Sequence, residues 1–201
     1  AVLLCAGCYP FAYEPEQAQL FEQIRQAVER DPSCVNLPFQ EGQTPLHLAI
    51  ANGNRSLVEW LIERGADPNV RNERGQPAIF GALTATYDYG RPILTILIEH
   101  GADVNATAAD GSTPLHAASR STSREPLALL LEAGAKVDGH DEQGYTPLHA
   151  IANSQAYQKA EDVVHTIRTL ADHGANPNAR AKLGDTPLCL AATTNNLLTT
   201  N

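Results

Sequence analysis

Three histidines occupy the same place in a repeated phrase and are the first candidates for chemistry. His47, His116 and His149 each close the tetrapeptide Thr-Pro-Leu-His. Histidine is a frequent acid–base residue and metal ligand at neutral pH. However, no carboxylate or cysteine recurs beside these histidines at ligand spacing, and the sequence contains no Gly-rich phosphate loop, GxSxG or HExxH motif. We therefore expect no catalytic residues, no cofactor and no metal at these positions.

The cysteines near the N-terminus offer a second lead. Cys5 and Cys8 form a CxxC pair, but no further pair stands at zinc-site spacing, so a metal site is not expected. Residues 1–8 are a short apolar run with small residues before a cysteine, which resembles the end of a bacterial lipoprotein signal peptide. In that pattern Cys8 would carry the lipid. The alternative is a plain apolar N-terminal segment.

Composition excludes other classes of function. The 201 residues carry 14 Lys and Arg against 23 Asp and Glu, a formal net charge of −9. Such a surface repels phosphate backbones, so a nucleic-acid partner is not expected. The apolar runs are far shorter than the roughly 20 residues of a membrane-spanning helix. We expect a soluble body, with a membrane contact only through the N-terminal lipid.

Two phrases recur along the chain with one period. The first phrase is Thr-Pro-Leu followed by His or, in the last copy, by Cys. It starts at residues 44, 113, 146 and 186, and a diverged copy, Pro-Ala-Ile-Phe, starts at residue 77. Successive copies are 33, 36, 33 and 40 residues apart. The second phrase begins with Gly-Ala and starts at residues 65, 101, 134 and 174. Self-similarity with a base period of 33 residues predicts a stacked repeat architecture.

Each repeat encodes a pair of helices. Thr44 can cap a helix with its hydroxyl, and Pro45 tolerates the first helical position, where its missing N–H costs nothing. Residues 57–62 place apolar side chains at helical spacing, and this phase puts Trp60 between repeats. Gly65 ends the second helix. Because each helix pair leaves a face that it cannot bury alone, stacking of neighbours must supply the stability.

The two phrases identify the chain as similar to the ankyrin-repeat family over about residues 36–194. The resemblance implies an all-α fold, a solenoid of stacked helix-turn-helix units joined by β-turn or hairpin-like loops. It also implies that the recurrent histidine hydrogen-bonds backbone in the connecting turns. In the family, the turn tips and the exposed ends of the first helices line a groove that binds other proteins.

The repeat positions predict a domain organisation. Residues 1–13 are the apolar segment, and residues 14–38 form an N-terminal capping helix and repeat. Residues 39–201 hold the repeats, at about 39–71, 72–107, 108–140, 141–180 and, incomplete, 181–201.

The family resemblance predicts a non-enzymatic module that binds a protein partner. Because most charged tips are acidic, we expect a partner with a basic patch. Carried over position by position, the partner-binding residues are Gln40, Glu41, Gln43, Asn52, Glu73, Arg74, Gln76, Thr84, Ala109, Asp110, Ser112, Arg120, Ser121, Glu142, Gln143, Tyr145, Asn153, Ser154 and Lys182.

Two alternative functions remain open at the sequence level. The chain could be an exported, lipid-anchored bacterial protein that restrains a toxin or enzyme at the membrane surface, or a regulatory fragment of a larger enzyme. The localisation is accordingly cytoplasmic or, with an export signal, periplasmic and membrane-anchored.

Overall fold

A computed structural model of the chain describes residues 17–38, 42–72, 74–84, 87–121, 124–153 and 160–193. The backbone divides into two compact units, Ala1–Ala102 and Asp103–Asn201. Within the described ranges every element is helical, and the extended pairing is limited to a single bridge between Arg71 and Pro77. The predicted all-α fold is confirmed. None of the helices in these ranges is both long and apolar enough to cross a bilayer.

The first unit begins with the predicted N-terminal capping helix, α1, which buries Ile24 and Val28. A short 3₁₀ helix follows, in which the buried Cys34 takes part in a disulfide bond. Two helix pairs come next: α2 packs on α3, α4 packs on α5, and the pairs stack through α2 with α4 and α3 with α5. The bounds are α1 Gln17–Arg30, 3₁₀ Pro32–Asn36, α2 Pro45–Ala51, α3 Arg55–Glu63, α4 Ile79–Thr84 and α5 Tyr87–Glu99.

The second unit repeats this arrangement with three first helices and two second helices. The first helices α6, α8 and α10 stack in a row, and the second helices α7 and α9 pack on each other and on α6 and α8, respectively. The bounds are α6 Pro114–Arg120, α7 Arg124–Glu132, α8 Pro147–Ala152, α9 Ala160–Asp172 and α10 Pro187–Thr193.

The helix ends follow from the two repeated phrases. α2 starts at Pro45, and the Thr44 hydroxyl oxygen accepts the backbone N–H of His47. α4 lacks both the threonine and the proline of the phrase, and it begins one position later, at Ile79. Gly65 follows α3 with φ +86°, a left-handed conformation that other residues adopt only with strain. The glycines of the later copies, Gly101, Gly134 and Gly174, have φ of +87° or +88°.

Trp60 departs from its predicted position. α3 buries Leu57, Val58 and Leu61, whereas Trp60 is only half-buried. The guanidinium carbon of Arg64 lies 3.8 Å from the centroid of the indole ring. The buried stripe of α3 therefore runs past Trp60, which lies at the edge of the core.

Candidate functional site

The three repeated histidines connect successive turns through hydrogen bonds of their buried side chains. All three are buried, and each starts on a first helix and reaches the backbone of the next turn. Their Nε2 atoms lie 3.1, 2.8 and 3.1 Å from the carbonyl oxygens of Gln76, Tyr145 and Asp185, respectively. Because a carbonyl can only accept a hydrogen bond, Nε2 carries the proton and donates it. The histidines hold the turns together, and their side chains are not available for chemistry.

The other ring nitrogen is also used. His116 Nδ1 accepts the backbone N–H of Thr113 at 3.1 Å and faces the Thr113 hydroxyl at 2.9 Å. His149 repeats this pair of contacts with Thr146. Burial lowers the pKa of His116 and of His47, because the charged imidazolium would lose its hydration. The neutral tautomer with the proton on Nε2 is therefore the structural form.

The turns between repeats are closed by their own backbone hydrogen bonds. In the first turn of the second unit, the N–H of Ala108 donates to Ser112 O at 2.8 Å, and the N–H of Gly111 donates to Ala108 O at 3.0 Å. The turns at residues 141–145 and 181–185 repeat both bonds. Each turn is thus a rigid loop that holds two residues at its tip.

Neighbouring turns of the second unit are also bonded to each other. The N–H of Glu142 donates to Asp110 O at 3.0 Å, and the N–H of Lys182 donates to Gln143 O at 2.9 Å. The backbone therefore aligns three tips in one row, and all six of their residues are exposed. We call this surface the tip row; it consists of Ala109, Asp110, Glu142, Gln143, Lys182 and Leu183.

The charged side chains of the tip row differ in their hydrogen bonding. Asp110 Oδ1 accepts both the hydroxyl of Ser112, at 2.6 Å, and its backbone N–H, at 3.0 Å. The Ser112 hydroxyl, with smaller help from backbone hydrogen bonds and Arg120, lowers the pKa of Asp110. The side chains of Glu142 and Lys182 make no hydrogen bond or ion pair with the described part of the chain. The tip row thus carries a carboxylate fixed by hydrogen bonds, that of Asp110. It also carries an unbonded carboxylate, that of Glu142, and an unbonded ammonium group, that of Lys182.

The other predicted residues of the second unit lie beside the tip row or below it. Arg120 and Asn153 are exposed at the ends of α6 and α8, and Ser121 is partly exposed. Tyr145 is half-buried, with its ring centroid 5.3 Å from that of His149. Ser112 is only 6% exposed and its hydroxyl is bound to Asp110, so it supports the tip rather than forming part of the surface.

In the first unit the structure describes four of the predicted residues. Arg74 is exposed, while Gln43, Asn52 and Gln76 are partly exposed. The Asn52 amide donates to Leu48 O at 2.8 Å at the end of α2, a structural bond. The structure gives no account of Gln40, Glu41, Glu73, Ser154 or Cys8, which lie outside the described residues, nor of the Thr84 side chain.

The hydrogen bonds between Asp110 and Ser112 were not predicted from the sequence. The sequence signal was present, since an Asp followed two residues later by Ser is a common self-bonding turn pair. The partly exposed apolar stripe on α9, formed by Val164 and Ile167 at helical spacing, was not predicted from the sequence either. Within the ranges that the structure describes, no three His, Cys, Asp or Glu side chains converge on a point that could hold a metal ion.

Two family models match this chain. One, for ankyrin repeats in many copies, matches residues 28–80, and the other, for ankyrin repeats in three copies, matches residues 82–164. The copies of the two phrases fall in these regions, except the last ones at residues 174 and 186, which lie beyond residue 164.

Curated relatives share the repeats over part of the chain. The rat ankyrin repeat and SAM domain-containing protein 6 is 36% identical over 94 residues, which cover 46% of this chain and 10% of the relative. The mouse B-cell lymphoma 3 protein homolog is 33% identical over 134 residues, 59% of this chain and 29% of the relative. The mouse NF-kappa-B inhibitor delta is 37% identical over 81 residues, 39% of this chain and 24% of the relative. The matched region is thus less than a third of each relative.

Proposed function

Since the chain belongs to the ankyrin-repeat family, whose members generally mediate protein–protein interaction, we propose that it is a non-enzymatic module that binds a partner protein through the tip row. The observation that carries this proposal is the row of turns linked by backbone hydrogen bonds. The backbone fixes where the six tip residues lie, and most of their side chains take no part in holding the fold. A rigid surface of this kind loses little conformational entropy on binding.

The adjoining exposed ends of the first helices extend this surface. Arg120 is the last residue of α6 and Asn153 directly follows α8, and these two helices are flanked by the turns of the tip row. The half-buried Tyr145 supplies an aromatic ring beside them, and aromatic side chains are enriched in interfaces. We infer that the partner contacts both the tips and these helix ends.

The charge on the tip row favours a partner with a basic patch. The carboxylates of Asp110 and Glu142 belong to adjacent, hydrogen-bonded turns, and the Glu142 carboxylate forms no ion pair with the described part of the chain. The net charge of −9 adds a long-range attraction for a positive surface. Electrostatic attraction of this kind raises the association rate and weakens with added salt.

The test is affinity capture with a charge-altered tip row. The double substitution Ala109→Lys with Glu142→Lys adds charge at two exposed tips and leaves the bond between Asp110 and Ser112 intact. We expect the immobilised variant to lose a protein that the wild-type chain captures at low salt. With the captured protein purified, its association rate should fall by about tenfold at low ionic strength.

A matched control separates the tip row from net charge. Glu132→Lys with Ala133→Lys makes the same two changes at exposed positions where α7 ends. The control should capture the partner as the wild type does. Equal capture by all three proteins, or equal loss in both variants, would contradict binding through the tip row.

A further inference from the structure

His116 ties the turn at residues 141–145 to the first helix of the preceding repeat, α6. Its Nε2 donates to Tyr145 O at 2.8 Å, and its Nδ1 accepts the backbone N–H of Thr113 at 3.1 Å. The side chain is fully buried, and both bonds require the neutral imidazole with its proton on Nε2. We call this pair of bonds the His116 bridge.

A second bond joins the same turn to its neighbour at the surface. The N–H of Glu142 donates to Asp110 O at 3.0 Å, and both residues are exposed. A backbone bond between exposed residues opens readily unless buried contacts hold its two partners together. The turn itself stays closed without His116, because the N–H of Asp141 also donates to Tyr145 O. The His116 bridge thus fixes the position of a self-contained turn.

The His116 bridge is incompatible with a protonated ring. In the imidazolium both ring nitrogens carry a hydrogen, so Nδ1 would face the N–H of Thr113 as a second donor. The Thr113 hydroxyl, 2.9 Å from Nδ1, can rotate to accept the new hydrogen, but the backbone N–H cannot turn away. A charged ring in this place would also be buried without a bond to a carboxylate of the described residues. Protonation therefore favours an open arrangement, in which the ring reaches solvent and releases Tyr145 O.

The charges around the ring come from both turns and from the end of α6. Burial has the largest effect on the pKa of His116 and lowers it. The bond to Tyr145 O and the charges of Asp141 and Asp110 raise the pKa, and Arg120 lowers it, but burial prevails. The His116 bridge is therefore complete at neutral pH, and it weakens as the pH falls below the ordinary value of 6.5.

We propose that the His116 bridge is an acid-sensitive switch that holds the tip row together when neutral and lets adjacent turns separate when protonated. In the neutral form Glu142 stays in line with Asp110. In the charged form the ring swings out, the bond from the Glu142 N–H opens, and a partner that contacts both tips is released. Only the release of a partner rests on the proposed function of the tip row.

Amide hydrogen exchange measured by NMR tests the switch on the protein alone. The intrinsic exchange rate divided by the observed rate gives the protection of each N–H at each pH. The protection of the Glu142 N–H should fall by about fivefold or more between about pH 7.5 and about pH 5.0. The Ala135 N–H, which donates to Leu130 O at the end of α7, reports opening of the whole unit. Its protection should fall by a much smaller factor.

Two matched variants assign the effect to one histidine. His116→Gln keeps a donor for Tyr145 O but does not titrate, so the protection of the Glu142 N–H should change by less than about twofold over this pH range. His149→Gln makes the same change in the next repeat, where the histidine bonds to Asp185 O. This variant should keep the wild-type fall at Glu142. Circular dichroism checks that both variants are folded.

A titration of the wild-type His116 ring by ¹⁵N NMR gives a measurement that needs no variant. The midpoint of the ring titration should coincide with the midpoint of the loss of protection at Glu142. Separate midpoints would contradict the switch.

The partner tests the last step. A protein that the immobilised wild-type chain captures at about pH 7.5 should elute at about pH 5.0 and stay bound to His116→Gln. Capture of no protein at either pH would contradict the proposed function of the tip row, while the exchange measurement still decides the switch. A captured protein that stays on the wild-type chain at the lower pH would contradict acid release.

Three exchange results would overturn the proposal. The first is protection of the Glu142 N–H that does not change with pH. The second is an equal loss at Ala135, which would show that acid opens the whole unit rather than one turn. The third is the same fall in His116→Gln as in the wild type, which would assign the pH dependence to other groups.

Discussion

Asp138 accepts the backbone N–H of Asn176 with both carboxylate oxygens, each at 3.1 Å. The three preceding turns carry asparagine at this position, and there the amide also donates to a glycine carbonyl at the end of a second helix. A carboxylate cannot donate that bond. Asp138 therefore leaves the Gly174 carbonyl without this donor and places a negative charge at the C-terminus of α9, where the helix dipole disfavours it.

Asp138→Asn should stabilise the protein. The new amide restores the missing donor and removes the unfavourable charge, so we expect a gain of about 0.5–1.5 kcal/mol in the free energy of unfolding. Urea denaturation at neutral pH measures it. The reverse change, Asn105→Asp, is the control and should lower stability by a similar amount. A loss of stability with Asp138→Asn would show that the carboxylate is preferred for its two bonds to Asn176.

His116→Ala should destabilise the fold by about 1–3 kcal/mol, because it removes the Nε2 donor to the Tyr145 carbonyl and leaves the buried Thr113 N–H without its acceptor. Cys189 provides an internal control, since it occupies the same position in the last repeat but is exposed. Cys189→Ala should change the free energy of unfolding by less than about 0.5 kcal/mol. Both values come from urea titrations followed by circular dichroism. Equal effects of the two substitutions would contradict the bridging role of His116.

Stability should fall as the pH drops below the ordinary histidine pKa. Burial lowers the pKa of His116 and His47 below 6.5, so the unfolded chain takes up these protons first. The stabilisation is complete above pH 6.5 and is lost as the pH falls toward the folded-state pKa. Unfolding free energies at about pH 7.5 and about pH 5.5 bracket this range while most carboxylates stay ionised.

His116→Gln isolates the contribution of one histidine to this pH dependence. Glutamine can still donate to the Tyr145 carbonyl, but it does not titrate. The difference in stability between the two pH values should therefore be smaller in the variant than in the wild type. An unchanged difference would assign the pH dependence to other groups.

The repeated phrases predicted the helix boundaries well because the residues involved act locally. Thr44 and Pro45 start α2, and the left-handed glycine at residue 65 follows α3, without help from distant parts of the chain. In α4 the phrase has diverged, and the helix starts at its third position, Ile79, instead of its second. Whether a side chain on a helix is buried, in contrast, is not determined by nearby residues of the sequence. Helical phase could not show that Trp60 would lie at the edge of the core, because that depends on which neighbours cover α3.

The turns that carry the candidate site were predicted in position but not in the bonds that join them. The sequence placed Asp110 and Glu142 at turn tips, since the flanking glycines mark the turns. It could not reveal that adjacent turns are joined by a bond from the Glu142 N–H to Asp110 O, because backbone groups have no signature in the sequence.

Trp60→Ala should cost less than the removal of a buried tryptophan. The indole is half-buried and stacked against Arg64, so we expect a loss of about 1–2 kcal/mol, against about 3–5 kcal/mol for a buried tryptophan. Leu61→Ala, on the buried stripe of the same helix, should cost about 2–5 kcal/mol. Denaturation followed by circular dichroism serves both variants. A greater loss for Trp60→Ala than for Leu61→Ala would place the indole in the core after all.

Gly111→Ala should be more harmful than Gly134→Ala, although both glycines are left-handed. At Gly134, with φ +88°, an added Cβ meets nothing within 4 Å, so only the backbone strain of about 1–2 kcal/mol is expected. At Gly111, with φ +77°, the Cβ would lie 2.7 Å from the backbone nitrogen of Glu142. That nitrogen donates to Asp110 O, so the clash also breaks the bond between adjacent turns.

The excess loss of Gly111→Ala over Gly134→Ala should be about 1 kcal/mol or more, the contribution of one hydrogen bond. Urea denaturation of the two variants gives this difference directly. Amide hydrogen exchange adds a local readout, because the Glu142 N–H should lose protection in Gly111→Ala and keep it in Gly134→Ala. If both variants lose the same stability and protect Glu142 equally, the turns are held in line by their side chains and by the histidine bridges rather than by the backbone bond.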